Sequence, residues 1–128
     1  MKTSEVMTRA KFFKHHDKMI LNFDFSGLDH DDARQVCEYV KDMISRMPKG
    51  SVLTMVNVSN MKYDAAFREL TNDLAAHNKP YVLAGAVIGV EGWKKLLFWA
   101  TLKFTGRNNL KAFDDLDEAK EWLVNYKA

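Results

Sequence analysis

Cysteine is nearly absent: Cys37 is the only one in the chain. No internal disulfide can therefore form, and a structural zinc site built on thiolates is excluded. Proline occurs twice, at Pro48 and Pro80, and no repeat, low-complexity tract or linker divides the chain. Long hydrophobic runs are missing too. The longest, Tyr81 to Val90, has about half the length that a membrane span needs. The opening MKTSEVMTRAKFF has no apolar run of signal-peptide length. Neither sign of charge dominates, with 19 Lys and Arg against 17 Asp and Glu, scattered along the chain. That balance argues against a dedicated nucleic-acid binder, whose basic residues should gather on one face. The expectation is a soluble, cytoplasmic protein.

What is present is ordinary globular material, 47% hydrophobic and 28% charged over 128 residues. That length suits one domain, 1–128, able to remove roughly two-thirds of its unfolded surface from water. In KMILNFDF (18–25), Met19, Leu21, Phe23 and Phe25 alternate with Ile20, Asn22 and Asp24, the pattern of a strand. Upstream, TRAKFFKHH (8–16) reads as its partner, with His15, His16 and Asp17 at the turn. A short helix from Ser4 fits that stretch as well.

Asp29 can then cap a helix with Asp31 and Asp32 in its first turn, where the dipole favours anions. Ala33, Val36, Cys37, Val40, Met43, Ile44 and Met47 recur at helical spacing until Pro48 and Gly50 stop it. SVLTMVNV (51–58) is the next strand, and Tyr63, Phe67, Leu70 and Leu74 stripe the helix after it. That helix is expected to leave through His77-Asn78-Lys79-Pro80, with Asn78 suited to a left-handed exit. YVLAGAVIGV (81–90) is apolar on both faces, as in a strand covered on two sides. Gly89 and Gly92 bracket the turn into the helix WKKLLFWATLKF (93–104). LKAF (110–113) is a short last strand. Asp114 or Asp115 opens a final helix that should bury Leu116, Ala119, Leu123, Trp122 and Tyr126. Regular alternation of strand and helix predicts an α/β fold: one sheet of four to five strands, largely parallel, with four helices packed on it.

Chemistry is scarce. Cys37 shares the apolar stripe of its helix and reads as a small buried hydrophobe. His15, His16 and Asp17 could ligate a metal, but neighbouring side chains on a strand point to opposite sides. Capping explains the carboxylates of Asp29-His30-Asp31-Asp32, whose spacing is not that of a calcium loop. Gly85, Gly89 and Gly92 match neither a dinucleotide fingerprint nor a P-loop. Lys94 and Lys95 at a helix start could hold an anion, which Glu91 would repel. No catalytic constellation, cofactor or metal site is implied.

The helix 93–104 is the exception. Angular steps of about 100° put Trp93, Leu96, Leu97, Ala100 and Phe104 on one side, with Lys95, Phe98, Trp99 and Leu102 opposite. A sheet can bury only one apolar side, and the expectation sets the Trp93, Leu97 and Ala100 side on the sheet and leaves Phe98, Trp99 and Leu102 outward as an interface. The outward side calls for the N-terminal segment or last helix, a second protomer, an apolar ligand, or a membrane surface helped by Lys94, Lys95 and Lys103.

FDDLDEAKEWL, LNFDFSGL and AAHNKPYVLAGAVIGVEGWKKLL…TGR together resemble the SpoIIAA-like family, from about Lys18 to Leu123. The resemblance implies a fold related to the STAS domains of anti-sigma-factor antagonists and to the apolar-ligand-binding CRAL-TRIO domains. In STAS switches a helix begins at an Asp-Ser-Ser-Gly phosphosite. Here Asn57 and Ser59 look like the first and third positions of the preceding loop, and Asp64 like the phosphosite aspartate. Ala65, Ala66 and Phe67 stand where that site would carry Ser, Ser and Gly, so the switch is lost.

The sequence thus predicts a STAS-like module that binds rather than catalyses. The leading expectation is a protein-interaction module, self-associating as a homodimer. A carrier or sensor of a small apolar or lipid-like ligand comes second, and a weak peripheral membrane contact third. Candidate binding residues lie at the carboxyl ends of the strands and on the two-sided helix. They are Ser59, Asn60, Lys62, Tyr63, Glu91, Trp93, Lys95, Phe98, Trp99 and Leu102.

Overall fold

The computed structural model describes residues 1–61, 64–92 and 94–127, apart from the Leu97 side chain. The elements run α1 (Thr3–Thr8), β1 (Ala10–His15), β2 (Lys18–Asp24), α2 (His30–Ser45) and β3 (Val52–Asn57). Then follow α3 (Ala65–Asn78), β4 (Val82–Ile88), α4 (Lys94–Thr105), β5 (Leu110–Phe113) and α5 (Leu116–Asn125). The five strands form one sheet in sequence order. β1 and β2 are an antiparallel hairpin, and every later pairing is parallel.

Sequential order has a consequence. Parallel crossovers are right-handed as a rule, so strands in sequence order put α2, α3 and α4 on the same face of the sheet, where their residues share one core. The core on that face joins Leu21, Phe23 and Phe25 of the β2 region to Val36, Val40 and Ile44 of α2 and to Phe67 and Leu74 of α3. α5 covers the other face, where Ala119, Leu123 and Val124 meet Ile20, Met55, Ala84 and Ala86. β3 and β4 are thereby apolar on both faces, and Ile20 and Leu21, neighbours on β2, are both fully buried.

Helix starts follow side-chain chemistry. Asp29, Asp64 and Asp115 are the N-caps of α2, α3 and α5, accepting from the amides of Asp32, Phe67 and Asp117 at 2.9, 3.0 and 2.8 Å. Each satisfies an amide that the first helical turn leaves without a partner. Cys37 is buried in α2, and desolvation pushes its thiol up to about 12. It is a core residue.

Five expectations need correction. The N-terminal stretch holds both alternatives in succession, helix α1 and then strand β1, which makes five helices rather than four. Asn78 does not take a left-handed exit: it is helical and buried, and the chain leaves through a right-handed Lys79. Its carbonyl accepts from the Tyr81 amide at 2.9 Å, which closes that turn without any left-handed residue. Leu116 is 49% exposed, because it is the first residue of α5 and precedes the turns that reach the sheet. His15 and His16 converge rather than diverge, as described below.

The fifth concerns α4, which is turned roughly a third of a rotation from the expected setting, so that of the expected outer set Trp99 stays exposed while Phe98 turns inward. Leu96, Ala100 and Phe104, placed on the sheet side by the sequence, face outward. Phe98 packs against the core, Thr101 is buried and Leu102 is half-buried. The polar Thr101 turns inward because its hydroxyl donates to Asn72 Oδ1 of α3 at 2.8 Å. Trp93 and the Leu97 side chain lie outside the described residues.

Candidate ligand site between the sheet and the fourth helix

Lys94, Phe98 and Thr101 share one face of α4 at helical spacing and look onto a cavity of about 100 Å³. Phe23, Val56 and Val87 of the sheet, Leu74 and Asn78 of α3, and Leu110 help to enclose it. Its walls are almost wholly apolar, and Lys94 and Arg107 are the charged residues among the described lining. No described carboxylate lines it.

Arg107 reaches the interior because of how α4 ends. Gly106 has φ 69, and the Arg107 amide donates to the Leu102 carbonyl at 3.1 Å. This six-to-one bond closes the helix in a left-handed turn that suits glycine and sends the chain back toward the sheet. Arg107 is left only 5% exposed. Its Nε donates to Asn109 Oδ1 at 3.0 Å and its Nη1 to the Ala75 carbonyl at 2.9 Å. Nη2 is buried with no partner among the described residues. Burial pushes the guanidinium down to about 10, so it remains charged at neutral pH. A buried cation with a donor unsatisfied is costly, and such groups mark places where an acceptor belongs.

Asn109 holds this arginine in register with the sheet. Its Nδ2 donates to the Val82 and Leu83 carbonyls at 2.9 and 3.0 Å, just before the β4–β5 pairing begins at Gly85. An open apolar chamber with a fixed cationic donor can take a ligand with an apolar body and an anionic group.

Of the residues expected to bind, only Phe98 lines the cavity among those described. Ser59, Asn60 and Glu91 lie on the loops after β3 and β4, at the other end of the strands from Arg107. Lys95 and Trp99 are exposed on α4 and Leu102 is half-buried. Lys62, Tyr63 and Trp93 lie outside the described residues. The loop at 57–61 is built for shape. Asn57 Oδ1 accepts from the Ser59 amide at 2.9 Å, as Asp24 Oδ1 accepts from the Ser26 amide at 2.8 Å after β2. Both are side-chain-closed turns. Asp64, which looked like the phosphosite aspartate at a helix start, caps α3.

Sequence reading missed Arg107, Thr101 and Asn109. The only signal was the Gly106-Arg107 pair after a helix, and a lone arginine there reads as solvated.

Known proteins bear this architecture. A crystal structure of an uncharacterized protein of the DUF3478 family from Shewanella loihica PV-4, with a SpoIIAA-like fold, superposes with a TM-score of 0.71. The match covers 89% of this chain and 91% of that one at 17% identity, and so speaks for the fold alone. No curated protein matches the sequence. The family model named SpoIIAA-like, however, matches residues 20–124, from the middle of β2 to the end of the last helix. That match spans most of the chain, and the chain belongs to the SpoIIAA-like family.

Proposed function

We propose that this protein binds a small organic acid with an apolar body, seated between the sheet and α4 with its anionic group on Arg107. The observation that carries the reading is Arg107, a residue of the wall of an apolar chamber, whose buried Nη2 has no described partner. A carboxylate there would complete the guanidinium's hydrogen bonds, a charge-assisted contact of roughly 1.5–3 kcal/mol. At about 100 Å³ the chamber is small. Ligand pockets usually span about 300–1,000 Å³, while a dry cavity of about 150 Å³ admits benzene. The chamber is thus smaller than a benzene cavity, so the ligand is at most about one ring or a short chain in size, and its entry requires α4 to move off the sheet.

Calorimetry with benzoate and hexanoate against benzyl alcohol and hexanol tests this. The acids are expected to bind at least ~10-fold tighter, since one lost charged contact is worth that much. Arg107→Met should fold, because an apolar side chain of similar volume relieves a buried charge, and should lose the preference for acids. Equal affinity for acid and alcohol, or no binding of either by the wild type, would overturn the proposal.

A second reading is favoured by the outer side of α4. Leu96, Trp99 and Phe104 are 74%, 64% and 76% exposed on a helix of 12 residues. Such a patch suits a second protomer, with Lys95 and Lys103 at its margins. Leu102 is half-buried, so Trp99→Ser with Phe104→Ser is the cleaner test. The double variant should keep its circular dichroism and sediment as a monomer where the wild type shows a concentration-dependent mass. A wild type monomeric at every concentration would end this reading.

A further inference from the structure

We propose that His15, His16 and Glu121 form a binding site for a divalent cation of the zinc class. The site lies where the tip of the β1–β2 hairpin meets α5, away from the cavity. His15 Nε2 and His16 Nε2 stand 3.0 and 2.7 Å from the same oxygen, Glu121 Oε1. The imidazole rings are 4.2 Å apart, centre to centre. The three donor atoms all lie within 4.8 Å of one another.

Neighbouring histidines meet here because the strand ends between them. His15 is the last residue of β1, while His16 and Asp17 form a two-residue turn with φ 47 and 65. Both left-handed residues give the tight hairpin whose twist matches its strands. The alternation of sides stops at His15, and the turn swings His16 round to the same carboxylate. Glu121 is more than a hundred residues away in sequence and is held in place from α5. Asn125 Nδ2 donates to the Glu121 carbonyl at 2.9 Å, and Lys18 Nζ donates to the Val124 carbonyl at 2.7 Å. The first bond lies within α5, and the second ties the hairpin to the helix beside the cluster.

The donor set selects the ion. Ligands about 2.0–2.2 Å from one tetrahedral centre lie a little over 3 Å apart, so small side-chain rotations bring these three onto a common point. Two imidazole nitrogens and one carboxylate oxygen suit zinc and its transition-metal neighbours. Calcium and magnesium prefer oxygen donors throughout. Two of the three residues are well exposed, with side-chain exposures of 65% for His16 and 51% for Glu121. The remaining coordination positions face water, so the ion is exchangeable. In its absence the same atoms are joined by imidazole N–H groups donating to the carboxylate, which holds the Glu121 carboxyl below its usual range.

Zn(II) titrated into the untagged full chain is the test, followed by calorimetry and by NMR of the histidine ring protons. One ion should bind per chain. The resonances of His15 and His16 should move, while those of His30 and His77, elsewhere in the fold, should not. His16→Asn keeps a residue tolerant of the left-handed turn and removes one ligand. Glu121→Gln keeps an acceptor for the rings and removes the charge. Each should weaken binding at least ~10–100-fold, the loss that even outer-shell partners bring. Failure of the wild type to bind, shifts confined to His30 or His77, or undiminished affinity in both variants would each overturn the site.

Discussion

Gly89→Ala is expected to leave little folded protein, whereas Gly92→Ala, three residues on, should be tolerated. Both glycines have positive φ, 89 and 55, and an L-residue in such a conformation costs roughly 1–2 kcal/mol. The difference lies in what the new methyl group meets. At Gly92 there is nothing within 4 Å. At Gly89 the methyl would overlap the Ser59 hydroxyl and lie 2.6 and 2.8 Å from the Ser59 amide nitrogen and Cα. A side chain could rotate away, but this backbone cannot. Val58 donates its amide to the Ile88 carbonyl at 2.9 Å, and the Ser59 amide is held by Asn57. Relief of the clash therefore separates the ends of β3 and β4 and breaks those bonds. The expected loss is roughly 4–5 kcal/mol, at the upper limit for single substitutions and close to the whole stability of a small domain. Urea unfolding followed by circular dichroism measures it. Equal midpoints for the two variants would show that the loops at 59 and 89 do not interlock.

Much of this fold was legible in the sequence, for identifiable reasons. The run from Tyr81 to Val90 is apolar at successive positions, which only a strand covered on both sides needs. Asp29 and Asp115 announce their helices through capping chemistry that acts within three residues. Local signals of this kind survive folding intact. The setting of α4 was not legible, because its apolar residues surround the axis and periodicity cannot choose between sides. Thr101 faces inward on the strength of one bond to Asn72, a partner on another helix. The candidate sites were hidden for the same reason. Nothing near Arg107 in the sequence foretells burial, and its position follows from Gly106 and from carbonyl partners on α3. His15 and His16 looked divergent because strand alternation was extended one residue past the end of the strand. Glu121, the residue that gathers them, could be found only in three dimensions.

Asn109→Ala should destabilise the protein by roughly 2–4 kcal/mol, although the residue is only half-buried and precedes a strand of four residues. Its amide nitrogen serves the carbonyls of Val82 and Leu83, and its oxygen serves Arg107 Nε. Alanine removes all three bonds at once, and each buried partner left unsatisfied costs about 1–3 kcal/mol, more when charged. Arg107 would keep only the Ala75 carbonyl among its described partners. Asn109→Asp separates the two duties of this side chain. It restores an acceptor for Nε and places a negative charge beside the guanidinium, yet it cannot donate to the strand carbonyls and sets a carboxylate against them. Its stability should fall between those of wild type and the alanine variant. Its ligand behaviour should be unlike either: with Arg107 already paired, the preference of the cavity for benzoate over benzyl alcohol should vanish. Denaturant unfolding and acid titration of the same two variants decide the matter. A loss below ~0.5 kcal/mol in Asn109→Ala, the size of an ordinary surface substitution, would mean that β4 does not depend on this bridge. Undiminished binding of benzoate by Asn109→Asp would mean that the anion is held somewhere other than Arg107.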